Sequence, residues 1–273
     1  LSGRPYARLR LSPDDQERAW AALYRAGALG GWETGPPENA FLAAFPDSDA
    51  ARLARDLLRR DGIESRLEED VVAPDPFASH RASLSPFSVG RFRIDPRGEP
   101  DGGAEGEAML WIPAHGAFGT GLHASTRGIL RWIDGANLAG RRVLDVGCGS
   151  GILAIAASRR GAAAAGFDVD ADAVFEAARN LLRNRASGVR LFAGEIAAVA
   201  GPFDAVLANM IWEESAPIVP VIAALLAPEG QAVFSGILDE REEEARRGMA
   251  AAGLAIHSVE AEEEWRMIVA RKT

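Results

Sequence analysis

The residues from Val143 to Ala154, read as Val-Leu-Asp-Val-Gly-Cys-Gly-Ser-Gly-Ile-Leu-Ala, carry the most chemistry in this sequence. An apolar strand runs into three alternating glycines, and a helix starts directly after them. Glycine lets the backbone turn sharply and come close to a ligand, while the N–H groups of a helix start point toward it. Asp168 then ends the next strand, 21 positions after Gly147, where a carboxylate accepts both hydroxyls of a ribose. Together these features point to an adenosine-containing cofactor. The competing explanation is a glycine-rich turn that binds nothing.

Two cofactor classes satisfy the loop. Gly149 to Ala154 also fits the dinucleotide pattern G-x-G-x-x-A, which makes a nicotinamide-dependent oxidoreductase the rival enzyme class. Asp145 argues against it, because a carboxylate just before the glycines repels a pyrophosphate and suits an ammonium. S-adenosylmethionine carries such an ammonium. The four histidines, His80, His115, His123 and His257, show no metal-ligand spacing and Cys148 stands alone, so no metal is expected. His123 is expected to shape its loop rather than act as a base.

The elements that must position these residues follow from periodicity. Strands are expected at residues 142–146, 163–168, 189–193, 205–208 and 231–235, with helices between them. Such alternation implies a parallel sheet covered on both faces. Two further runs, 254–260 and 265–270, are too close together for a crossover and must pair as an antiparallel hairpin. That ending marks methyltransferase sheets, whereas dinucleotide folds usually continue in parallel, so it too favours S-adenosylmethionine.

Upstream, an extended piece at 5–11 precedes a helix from Pro13 to about Arg25. Apolar runs follow at 29–32 and 40–45 with Gly35-Pro36-Pro37 as the turn. Ala50, Leu53, Leu57 and Leu58 share a helical face, and residues 63–67 alternate as a strand. The order strand, helix, strand, strand, helix, strand is the split pattern of ferredoxin-like domains. From 71 to about 106, prolines and the Gly102, Gly103, Gly106 patch indicate the connection between domains, with short strands at 88–94 and 108–112.

The whole-chain figures agree. At 273 residues the chain is about twice the usual single-domain length, so two domains are expected. Thirty Lys plus Arg against 39 Asp plus Glu leave a net charge of −9. That balance disfavours a non-specific grip on nucleic acid or an anionic membrane and accommodates a basic protein partner. No apolar stretch is long enough to span a bilayer. Residues 1–11 do not read as a signal peptide. With a single cysteine, a reducing cytoplasm is the expected compartment. Glu260, Glu262, Glu263 and Glu264 read as a solvated turn. The tryptophans read as core residues, apart from Trp212, which follows Asn209 closely enough to wall a substrate entrance.

The chain resembles the bacterial methyltransferases of large-subunit ribosomal protein eleven. The resemblance rests on Pro86-Phe87-Ser88-Val89-Gly90, on Ala117-Phe118-Gly119-Thr120-Gly121-Leu122-His123-Ala124-Ser125-Thr126, on Ala208-Asn209-Met210-Ile211 and on Ser235-Gly236-Ile237-Leu238. It departs from the family's usual residues at Gly116, Leu122 and Ala124-Ser125, and has His80 and Arg81 where the linker usually has tryptophans. The resemblance implies an α/β fold: a Rossmann-like S-adenosylmethionine-dependent methyltransferase domain at 107–273, joined by a linker at 71–106 to a smaller ferredoxin-like substrate-recognition domain at 1–70. It also implies that Thr126, Gly147, Asp168 and Asn209 contact S-adenosylmethionine, with Gly149 and Phe118 as further candidates. The implied reaction is methylation of lysine or N-terminal amines of a large-subunit ribosomal protein. Another protein amine, or a silent binding module, is the alternative. Asn209 is the candidate partner of the acceptor amine, since its side-chain carbonyl accepts from an amine without adding charge. The competing role for Asn209 is capping of the next helix.

Overall fold

The computed structural model describes residues 6–28, 30–34, 39–45, 47–71, 78–98, 109–114 and 121–272. The Gly35-Pro36-Pro37 turn, the patch at Gly102, Gly103 and Gly106, and residues 115–120 lie outside them. The chain divides into two compact units, the first running to Leu84 and taking in Ala114, the second comprising Ser85–Pro113 and the described residues from Gly121 on. No described helix is long and apolar enough to cross a membrane.

In the first unit, β1 (Tyr6–Leu11), α1 (Gln16–Arg25), β2 (Gly30–Thr34), β3 (Ala40–Phe45), α2 (Ser48–Arg60) and β4 (Ser65–Val71) follow in that order, then α3 (Ala78–Ser83). The antiparallel sheet runs β2-β3-β1-β4, the ferredoxin-like arrangement expected from the element order. Asp47 starts α2 by accepting the Ala50 N–H at 2.8 Å. Gly62, at φ +72°, ends it, with the Ile63 N–H returning to the Leu58 carbonyl at 2.9 Å. The buried face of α2 is Ala51, Ala54 and Leu58, whereas Leu53 is 52 % exposed. The expected face is therefore rotated. The small alanines let the helix settle closely on a sheet that already supplies Leu9, Phe41 and Phe45 to the same core.

The second unit opens with β5 (Phe87–Val89) and β6 (Phe92–Asp95), an antiparallel hairpin where one strand was expected over 88–94, and β7 (Met109–Trp111), parallel to β6. Gly90, at φ +56°, makes the turn. After α4 (Ala124–Gly135) come β8 (Arg142–Val146), α5 (Ile152–Arg159), β9 (Ala163–Asp168), α6 (Ala171–Arg183), β10 (Arg190–Ala193) and β11 (Phe203–Asn209). Then follow α7 (Trp212–Ser215), α8 (Val219–Leu225), β12 (Leu226–Leu238), α9 (Glu242–Ala251), β13 (Leu254–Glu262) and β14 (Trp265–Lys272). The seven-stranded sheet runs β10-β9-β8-β11-β12-β14-β13. Its first five strands are parallel, and β14 is antiparallel to both β12 and β13, as the short gap at the end of the chain requires.

Alternation along the strands splits the core in two. Val143, Leu207, Val233 and Val269 pack on one face with residues of α4 and α5, including Ile129 and Ile155. Leu144, Val206, Phe234 and Ile268 pack on the other with Ile222 of α8 and Met249 of α9. A sheet fixed on both faces holds its strand ends still.

Candidate functional site

The strand order reverses beside β8: β9 and β10 lie to one side, β11 and β12 to the other. Ligands of open α/β sheets bind at such a switch point, beyond the carboxyl ends of the strands. Gly147 follows the end of β8 and Asn209 ends β11, so these two candidates flank it.

The glycine loop adopts the backbone its sequence allows. Gly147, Gly149 and Gly151 have φ of +64°, +50° and +77°, a region that side chains other than glycine rarely adopt. A Cβ on Gly147 would lie 3.3 Å from Met210 Sδ, so bare backbone is what leaves room there. Asp168 ties the loop to β9: its Oδ2 accepts the Gly149 N–H at 2.9 Å, and its Oδ1 accepts the Asp170 N–H at 3.1 Å. Each oxygen keeps a second lone pair, and the side chain is half-buried with a face toward solvent. Beside it Val169 is 75 % exposed, a large apolar side chain at a strand end with no core to cover it. Sequence reading passed over Val169. Its signal was an apolar residue directly after the strand-end acid.

On the other side of the switch point, Asn209 Nδ2 donates to Thr126 Oγ1 at 3.0 Å, joining β11 to the first turn of α4. Thr126 is fully buried. Asn209 Oδ1 is buried and has no hydrogen-bond partner among the described residues. An acceptor in that state costs free energy unless something donates to it. Asn209 does not cap the following helix, since α7 starts after Ile211 with no side-chain cap. Backbone and hydroxyl contacts hold the pair in place: the Met210 N–H donates to the Ser235 carbonyl at 3.1 Å, and Ser235 Oγ donates to the Ser125 carbonyl at 3.0 Å. His123 caps α4, its Nδ1 lying 3.3 Å from the Ser125 N and 2.7 Å from Ser125 Oγ, and its ring meets Trp265 edge-on.

Three expectations change. Asp145, expected to face an ammonium, is enclosed at 1 % exposure. There its Oδ2 accepts the Ala154 N–H at 3.0 Å and secures the first turn of α5. Burial pushes this carboxyl well above the usual range against the Ala154 hydrogen bond, and the Asp168 charge adds to the rise. Trp212 is buried in the core, because Gly248 of α9 leaves a slot for its indole, so it does not wall an entrance. Glu262 is no solvated turn residue: it accepts from Arg127 Nε at 2.9 Å and from Arg131. Phe118, with Ala117, Gly119 and Thr120, lies outside the described residues. Cys148 is buried, and burial pushes its thiol up, away from reactivity.

Comparison with known proteins places this geometry in context. A family model described as ribosomal protein L11 methyltransferase (PrmA) matches residues 44–273. The ribosomal protein L11 methyltransferase of Thermus thermophilus is 35 % identical over 247 residues, covering 89 % of this chain and 90 % of that protein. That of Geobacter sulfurreducens is 40 % identical over 195 residues, 70 % of this chain. The chain spans only 64 % of the length of that relative and 62 % of the Geobacter metallireducens one. Among solved structures, the ribosomal protein L11 methylase of Lactobacillus delbrueckii subsp. bulgaricus matches with a TM-score of 0.63 at 26 % identity, over 70 % of this chain and 99 % of that one.

Proposed function

The chain belongs to the ribosomal protein L11 methyltransferase family, and from that premise we propose that it methylates lysine or N-terminal amines of a basic large-subunit ribosomal protein with S-adenosylmethionine. The observation that carries the reading is the Asn209 carboxamide at the switch point, whose Nδ2 donates to Thr126 and whose buried Oδ1 has no partner among the described residues. The residues present suit the cofactor. Gly147 and Gly149 offer bare main chain, Asp168 has lone pairs left for the ribose hydroxyls, and exposed Val169 offers an apolar face to a base. Thr126 and Asn209, with Phe118 as a further candidate, would hold the other end. The first unit would recognise the protein substrate. A cytoplasmic setting fits the lone, buried thiol.

When bound, S-adenosylmethionine supplies a sulfonium methyl group whose departure leaves a neutral thioether. The protein's own part is alignment and dryness. Holding an amine and its target in line is worth up to ~7–11 kcal/mol. A free lysine has a pKa of about 10.4, so the acceptor must lose a proton before attack. Asn209 accepts an N–H of the amine and aims its lone pair. Being neutral, it does not favour the ammonium form as a carboxylate would.

Incubation with labelled S-adenosylmethionine and ribosomal proteins tests this. Label is expected on one large-subunit protein, and Asn209→Ala should lower kcat by about 10²-fold, the scale of a lost preorganised contact to the reacting group. Cofactor binding without label on any protein would leave a silent binding module.

A further inference from the structure

Asn180 and Asn184 lie four residues apart on α6 and just beyond its end, both almost wholly buried, and the reaction as described above uses neither. Asn180 Nδ2 donates to the Ser150 carbonyl at 2.9 Å, inside the glycine loop, and its Oδ1 accepts from Arg183. Asn184 Oδ1 accepts the Trp111 N–H at 2.9 Å, while its Nδ2 donates to the Trp111 carbonyl at 2.8 Å and to the Asn180 carbonyl at 2.9 Å. A buried carboxamide is tolerated when its groups are paired, and here the pairing is with main chain on two other segments.

The target of Asn180 is the point that matters. The Ser150 carbonyl belongs to the peptide between Ser150 and Gly151, and Gly151 closes the loop by donating its N–H to the Cys148 carbonyl at 2.7 Å. Turning that peptide plane would break this bond and change the left-handed φ at Gly151. The same face of α6 supplies Ala177, whose Cβ lies 3.1 Å from where a Gly151 Cβ would stand. Ala177, Asn180 and Leu181 are spaced so as to present one helix surface to the loop. Because α6 begins just after Asp168, one rigid element governs both the ribose acid and the loop.

We propose that Asn180 is a positioning residue for the cofactor: its carboxamide fixes the Ser150–Gly151 peptide so that the glycine loop is already curved to receive the nucleoside. The proposal rests on the methyltransferase reading above.

Asn180→Asp keeps the side chain's shape and its contact with Arg183, but sets an acceptor against the Ser150 carbonyl. Asn180→Ala removes the donor without that repulsion. Both should raise the calorimetric Kd for S-adenosylhomocysteine and the KM for S-adenosylmethionine by about tenfold, with kcat within about twofold of wild type. A merely structural residue would lower kcat through loss of active protein and leave KM alone. Either that pattern or an unchanged Kd in folded variants overturns the proposal. Should both variants fail to fold, amide exchange in the cofactor-free wild type decides. A held loop protects the Gly151 N–H, and exchange there at the rate of an open chain overturns the proposal. Wild type that binds no S-adenosylhomocysteine removes the methyltransferase reading itself, whereas equal binding by wild type and variants removes only the role of Asn180.

Discussion

On the proposed reading, Asp168 serves the resting loop and a ligand together. Its oxygens hold the Gly149 and Asp170 N–H groups, so the carboxylate is already oriented, and on that reading a ribose would add to these contacts without displacing them. Hydrogen bonds to a charged group contribute about 1.5–3 kcal/mol each. Asp168→Ala should therefore raise the Kd for S-adenosylhomocysteine by about 10–100-fold. Solvent can replace the lost partners of two N–H groups beside a half-buried site, so the Tm of the cofactor-free protein should fall only slightly. Titration calorimetry beside a melting curve separates the two, and an unchanged Kd rejects the ribose role. The position of Asp168 was legible in the sequence because it is a polar residue ending an apolar strand, where burial stops, whereas Asn209 was reached through the family resemblance. The place of Asp145 was not legible. Only the fold brings the first turn of α5 over that carboxyl, and a local pattern cannot show it.

At the scale of elements, strand and helix order was legible almost throughout, because periods of two and of about 3.6 residues are local properties. The partners of each face were not. Leu53 looked like core because it lies three and four residues from other apolar positions, yet the alanines between them pack closer to the sheet. Glu262 was hidden for the same reason, its partners lying more than 130 residues away on α4. Arg127 also reaches the Leu122 carbonyl, so the β13–β14 hairpin braces the loop that leads to Thr126. Burial by itself would raise the Glu262 carboxyl, but the bonds and charges of Arg131 and Arg127 outweigh it and hold it below its ordinary value. Its contribution to stability is then present above the unfolded value, near 4.3, and is lost as pH falls through the depressed folded value. Glu262→Gln should lower the Tm at pH 7 by about 1–4 °C, from a partly exposed pair worth up to ~1 kcal/mol. The gap between variant and wild type should close as the pH falls below about 4. Melting curves across that range check it, and a gap that widens in acid would contradict the pairing.

For the whole molecule, the excess of nine negative charges matters less for folding than for encounter. Many arginines are spent locally: Arg127 and Arg131 on Glu262, Arg141 on Asp204, Arg241 on Glu213, Arg246 and Arg266 on Glu242. Paired charges cancel beyond a short distance, so the field reaching solvent is that of the unmatched acids. On the proposed reading, a basic ribosomal protein is drawn by that field, whereas cofactor binding depends on main chain, a neutral amide and one short-range carboxylate. The two should respond differently to salt. The Debye length falls from about 10 Å at 0.1 M to about 3 Å at 1 M, which removes attraction across the gap between approaching proteins and spares contacts already made. Between roughly 0.05 and 0.5 M salt, kcat/KM for the ribosomal protein should fall by about tenfold through slower association, with kcat and the S-adenosylhomocysteine Kd each within about twofold. Initial rates at saturating cofactor measure the first and calorimetry the second. A kcat/KM indifferent to salt would mean that the acidic excess takes no part in recognition and that shape and apolar contact select the substrate. A parallel loss of cofactor affinity would mean that salt acts on the fold instead of the encounter.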